Sequence, residues 1–229
     1  VINDGNLVIF RQDGTNHGSI QVSGATVGYN TFTGCHWSRL ADNSKPTILR
    51  GTIIESLDTM MDWYQVDYEF ETEEKDTEGN LTGVKKTRKH KKSITLPEGK
   101  AVGDNHTITD NKGIERTGKI IKEGDVKHVY SKISTTADST RVYGLFHCWD
   151  NDDDTVNDFN VAQVGTYIIR VHKDITVAAG DLVVSNGDGT AKKQDDDIIR
   201  SKTVAKVNST VIIETYADGS YTVPCTLHC

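Results

Sequence analysis

The chain has 229 residues, 35% of them hydrophobic and 26% charged, with 20 glycines and 3 prolines, enough to build the core of one large domain or two small ones without disulfides. Its formal charge of -7 argues against a nucleic-acid-binding protein. No apolar run approaches the roughly 20 residues needed to cross a bilayer as a helix, so no membrane insertion is expected.

Val, Ile and Thr outnumber Leu in most segments, which favours a mainly β fold. Four cysteines, Cys35, Cys148, Cys225 and Cys229, are too few and too scattered for a disulfide scaffold. On one strand, Cys225 and Cys229 would sit about 13 Å apart at roughly 3.3 Å per residue and could not bond to each other. The opening VINDGNLVIF has no basic region or small-residue cleavage site and reads as carrying no secretory signal; Val1 in place of Met reads as a fragment of something longer.

In chain order, residues 1–30 alternate short apolar runs (LVIF, SIQV) with the turns QDGTN and SGAT, and read as the end of a β-rich stalk. In ILRGTIIESLDTMMDWY, Ile53, Leu57, Met60 and Met61 fall at helical spacing, whereas Gly51 and Thr52 suit a strand. That predicts a strand near 48–55 and a short helix near 56–63.

Charge patterning is strongest between residues 66 and 96. EFETEEKDTE is acidic, KKTRKHKK is basic, and GNLTG separates them; Val66, Tyr68 and Phe70 alternate as on one strand face. Folding back at 79–83 predicts a long hairpin with opposite charges across it. A phosphate-binding patch is the rival reading of the basic run, but the acidic partner lies within hairpin reach and no aromatic interleaves it. Residues 97–140 carry turn signals (PEGKAVGDN, DNKG, EGD). Residues 141–229 read as a compact β-domain: VYGLFHCW, FNVAQVGTYIIRV, the SNGDGTA turn, and a terminal hairpin turning at Asp218-Gly219.

Candidate chemistry is sparse. DNDDDTVND, residues 150–158, places oxygen ligands at Asp150, Asp152 and Asp154 like the start of a calcium loop. It lacks the Gly at position six and the Glu at position twelve, where Val161 stands, and is read as a solvated acidic turn. Cys35-His36, His147-Cys148 and the Cys225, His228, Cys229 group lack zinc-ligand spacing, and small buried hydrophobes are the preferred role for these cysteines. SNGDGTA lacks phosphate-loop spacing, so no cofactor is expected. His36 and Ser38 form a conceivable base and nucleophile, with Asp42 near enough in sequence to orient the His.

GSIQVSGATVGYNT, with Gly18, Ser19, Ile20, Val27, Tyr29, Asn30 and Thr31, followed by Arg39-Leu40, resembles the segment entering the C-terminal intramolecular chaperone domains of phage tailspikes and tail fibres, the endosialidase-type group. Independently, Gly180, Asp181, Leu182, Gly189, Ala191, Val204, Lys206 and Val207 resemble the autoproteolytic chaperone domain at the C-terminus of phage neck appendages and β-helical tailspikes. Together they cover more than half of the chain.

The resemblance implies a homotrimer: a stalk end over residues 1–30, then a chaperone and trimerisation domain over 31–229 in which 66–96 is an inserted hairpin. It implies folding in the host cytoplasm, residence in a virion fibre or spike beside other tail proteins, and, in some members, a single self-cleavage at a Ser-Asp pair. Here that pair is absent. Thr33-Gly34 and Ser38-Arg39 stand nearest, leaving Thr33, His36, Ser38 and Asp42 as candidate residues for a cut within 30–38. The alternative is an uncut, virion-attached tip that meets a host receptor through the charged hairpin or the 150–158 loop.

Overall fold

A computed structural model describes residues 5–12, 14–23, 26–30, 33–150 and 155–228. Strands dominate, and no helix occurs among the described residues. The first three, β1 (Gly5–Gln12), β2 (Thr15–Ser23) and β3 (Thr26–Asn30), form an antiparallel sheet of their own. Consecutive strand residues point to opposite faces, yet Val8, Ile9 and Phe10 are all exposed, Phe10 at 55%.

The chain then enters a twelve-stranded sheet. Its first half comprises β4 (Thr33–Arg39), β5 (Ile53–Lys75), β6 (Leu81–Ile94), β7 (Asn105–Thr109), β8 (Glu115–Ile133) and β9 (Val142–Trp149). The second half comprises β10 (Asp158–Val171), β11 (Leu182–Ser185), β12 (Ala191–Lys193), β13 (Ala205–Val207), β14 (Glu214–Thr215) and β15 (Tyr221–His228).

The expected helix at 56–63 is replaced by strand, and the strand expected at 48–55 begins only at Ile53. Gly51 holds a turn at φ 79° against β10, where a Cβ would meet Arg170 N and Ile168 O at 2.9 Å. The helix-like spacing comes from a bulge. Between Ser56 and Met60, β5 advances four residues while its partner β8 advances two, from Ser131 to Val129. Extra residues reset the two-residue period, so Ile53, Leu57, Met60 and Met61 imitate a helical face. Met61 is fully buried while Met60 is exposed, as strand neighbours are.

Pairings of β10 with β15, β15 with β13, β13 with β11, β11 with β12 and β12 with β10 close a small barrel. Its core holds Ile169, Val171, Val183, Val204, Val207 and Val223, each worth roughly 1.5–3 kcal/mol when fully buried. A second core lies on the opposite face. Adjacent residues of the central strands divide between the two: Ile53, Leu145 and Ala162 in one, Ile54, Phe146 and Val161 in the other. Gly144, at φ 144°, keeps β9 close to β10; a Cβ there would meet Ala162 O at 2.4 Å.

Away from the barrel, β6, β5, β8 and β7 lie side by side and curl around Val66, Tyr68, Ile94, Ile108 and Ile120. Lys92 Nζ donates to Thr109 O (2.6 Å), tying the two edge strands together. The β5–β6 hairpin sets Glu69 opposite Lys89 and Asp67 opposite Lys91. It turns at Asp76–Asn80, earlier than expected, because Asp76 Oδ1 accepts the Glu78 and Asn80 N–H groups and Gly79 takes φ 89°. Asp218-Gly219 occupies the last hairpin turn, with Gly219 at φ 85°.

Candidate functional site

The segment after Asn30 becomes β4, paired antiparallel with β10 from Thr33 opposite Gly165 to Arg39 opposite Asp158. Arg39 Nε meets Asp158 Oδ1 at 2.7 Å, and Arg39 Nη1 donates to Asp62 O at 2.9 Å. Both side chains of the ion pair are almost dry, so the charges cancel in a setting where neither is tolerated alone.

The candidate cleavage residues do not converge. Thr33 Oγ1 donates to Thr166 O (3.3 Å). Ser38 is fully buried, its Oγ donating to Val129 O (2.8 Å) and lying 2.8 Å from Ser131 Oγ. His36 is exposed and its ring lies 5.8 Å from that of His128. The Ser44 hydroxyl, and after it the Ser44 N–H at 3.0 Å, hydrogen-bond to the Asp42 carboxyl and hold it below the ordinary range. Thr31 lies outside the described residues. The hydroxyl is thus engaged with β8, and the carboxylate with its own turn.

What β4 does assemble is aromatic. Between Met60 and Asp62 the partner strand β8 runs from Val129 to Gly124, so residues 125–128 bulge outward. Asp125 organises that bulge: its Oδ1 accepts the Lys127 and His128 N–H groups, and Oδ2 meets His128 Nδ1 at 2.9 Å. Burial alone would raise Asp125, but these bonds and the imidazole outweigh it and hold the carboxyl at about 2. His128 is thereby set 4.5 Å from the Trp37 ring, and Trp63 of β5 lies 6.1 Å from Trp37 at 52°.

Trp37, Trp63, Arg39, Asp158, Gln65 and Ser93 line a cleft of about 260 Å³. Both indoles are half-buried. Gln65, oriented so that its oxygen accepts the Trp63 indole N–H (2.8 Å), fixes the edge of that ring. The helix expected over 56–63 would have carried Trp63, whereas strand β5 sets it beside Trp37. The bulges that bring it here have no sequence signature beyond the broken period.

A larger cleft of about 760 Å³ opens where the curled strands end, over Tyr68, Phe70, Arg88 and His90. Arg116 covers Phe70 at 4.6 Å and pairs with Asp110 at 2.9 Å. Of the cysteine and histidine pairs, His147 Nδ1 is taken by Tyr167 OH (2.7 Å), and burial pushes the Cys35 thiol up. Cys225 is buried. Among the described residues no group of three potential metal ligands comes together. Asp152, Asp154 and Cys229 lie outside the described residues.

No protein-family model matches the chain, and neither a curated protein nor a solved structure matches it.

Proposed function

We propose that this chain is the trimerisation and intramolecular chaperone region at the end of a phage tail fibre or tailspike. The observation that carries this reading is the β1–β3 sheet, whose Val8 and Phe10 on one face and Ile9 on the other are exposed in a single chain. A three-stranded sheet needs a covered apolar face to hold together, and contiguous exposed apolar side chains mark association surfaces. Two further copies, wound against the first, supply that cover. The GSI and VGYN matches of the tailspike resemblance fall on these strands. The second set of matches, Leu182, Ala191, Val204, Lys206 and Val207, falls in and beside the closed barrel.

Such a region has a physical task. Aligning three chains of a β-stalk without slippage is slow, and open strand edges aggregate meanwhile. A barrel that folds within one chain and then associates raises the local concentration of the stalk strands. The test is the chain count of the purified protein, with Ile9→Glu and Phe10→Ser as variants that weaken association while leaving the barrel folded.

A second reading is favoured by the seam. Ser38 is tied into β8 and Asp42 into its own turn, an arrangement that suits a permanent junction better than a cut site. The region then stays on the virion as a tip that contacts the host surface. Intact mass of particle-derived protein tests retention.

A further inference from the structure

We propose that the cleft at the end of the curled strands receives the 195–199 loop of a second copy of the chain. The inference rests on the assembly reading and deepens it by naming two surfaces that meet.

The cleft holds cations that nothing in the chain neutralises. Along β6, Lys85, Lys86, Lys89 and Lys91 each pair with a glutamate, and Lys92 donates to Thr109 O. Arg88, which lines the cleft, has no hydrogen-bond or ion-pair partner among the described residues, and neither has the side chain of Lys112 in the β7–β8 turn. Of the carboxylates at the cleft, Glu74 is engaged by Lys86, Asp110 by Arg116 and Glu73 by the Gly83 N–H, so the charge left over is positive. A volume of about 760 Å³ leaves room for the tip of a loop.

The loop, between β12 and β13, is held in one shape from beneath. Gln194 is 2% exposed; its amide N–H groups donate to Asp196 Oδ1 (2.8 Å) and Ile198 O (2.7 Å), and its oxygen accepts the Thr203 hydroxyl (2.6 Å). Asp196 also takes the Ile198 N–H (3.1 Å) and Arg200 (2.9 Å). A buried amide thus commits its hydrogen bonds to a surface turn, and a turn already ordered loses little entropy on docking. That turn presents Asp195, Asp197, Ile198 and Ile199, the isoleucines 54% and 57% exposed. Neither Asp195 nor Asp197 forms a hydrogen bond or ion pair among the described residues; Lys202, which attracts Asp195, is bonded to Asp138 at 2.8 Å.

Charge complementarity selects the occupant. At a formal -7 the copies repel one another at long range, so electrostatic attraction between them has to come from local patches of opposite sign. Loop and cleft are such a pair: two unmatched carboxylates against an unmatched guanidinium and ammonium, and two exposed isoleucines over a floor that includes half-buried Phe70. Within one chain the loop sits on the barrel and the cleft on the curled strands away from it, so another copy has to bring them together. Because the patches differ, the contact is head-to-tail, the kind that closes copies into a ring when the rotation allows.

The test reverses charges at four exposed positions, which leaves the cores untouched. Arg88→Glu with Lys112→Glu inverts the cleft, Asp195→Lys with Asp197→Lys inverts the loop, and all four together restore opposite signs with the polarity exchanged. Sedimentation velocity over a dilution series reads the concentration at which the assembly dissociates. Each pair of substitutions is expected to raise that concentration at least tenfold, and the combined variant to return to within about threefold of wild type. A pair that dissociates like wild type, or a combined variant no tighter than either pair, overturns the contact while the assembly reading stands. A wild type that remains a single chain throughout removes the assembly reading and this contact with it.

Discussion

Arg39 Nε and Asp158 Oδ1 lie 2.7 Å apart with side chains 5% and 14% exposed, so the last residue of β4 is locked to the first of β10 by a nearly dry ion pair. Removing one partner strands the other charge in a poorly solvated place. Arg39→Met is therefore expected to cost about 3–5 kcal/mol in urea unfolding, and Arg39→Met combined with Asp158→Leu considerably less than the single change. A single-variant cost below about 1 kcal/mol would mean the pair is solvated and worth no more than a surface bridge.

Ser38 supplies a second test of the seam. Its hydroxyl is buried against Val129 O and Ser131 Oγ, so Ser38→Ala is expected to lose about 1–3 kcal/mol, the cost of leaving those partners unsatisfied. The intact mass of the purified chain is expected to be full length and the same for wild type, His36→Ala, Ser38→Ala and Asp42→Asn. A fragment ending between residues 30 and 38 in wild type, lost in any of these variants, would restore the self-cleaving reading.

The Asp125 carboxyl is held at about 2 against an ordinary 3.8, so its stabilisation is fully present above the unfolded value and is lost as pH falls from about 4 through about 2. Asp125→Asn is expected to lower the urea midpoint at pH 6 and to differ little from wild type at pH 2, followed by the fluorescence of Trp37 beside His128. An equal loss at both pH values would place the effect of Asp125 in its shape and not its charge.

In the β5–β6 hairpin, Lys85–Glu71, Lys86–Glu74 and Lys89–Glu69 are ion pairs between exposed side chains. Each is expected to contribute little, because both partners stay solvated, and salt screens it further. Lys89→Gln is expected to leave the urea midpoint nearly unchanged, and molar salt should not melt the hairpin, because Val66, Tyr68 and Ile94 hold its base. A marked drop in midpoint in either experiment would show that the charges, and not the buried base, hold the strands.

The hairpin was legible because opposite charges and an alternating apolar face are written locally, in residues 66–96. So were the β class and the Asp218-Gly219 turn, which rest on propensity and on one positive φ. Residues 56–63 misled because a bulge shifts the apolar positions to helical spacing, and a bulge is fixed by the partner strand, not by the residues it displaces. The Trp37 and Trp63 cleft was hidden for the same reason: it needs three non-local events, the pairing of β4 with β10 and the two bulges that bring His128 and Trp63 beside it. Thr33, His36, Ser38 and Asp42 are close in sequence, but strand alternation and the turn at Asn43 disperse their functional atoms.

The exposed apolar side chains of β1 bear most directly on the trimer, and light scattering of the purified chain at micromolar concentration counts its copies. The expected mass is three times the 25.3 kDa of one chain, falling toward one when Ile9→Glu or Phe10→Ser is introduced. A wild-type protein that scatters as a single 25.3 kDa chain at that concentration would contradict the assembly reading.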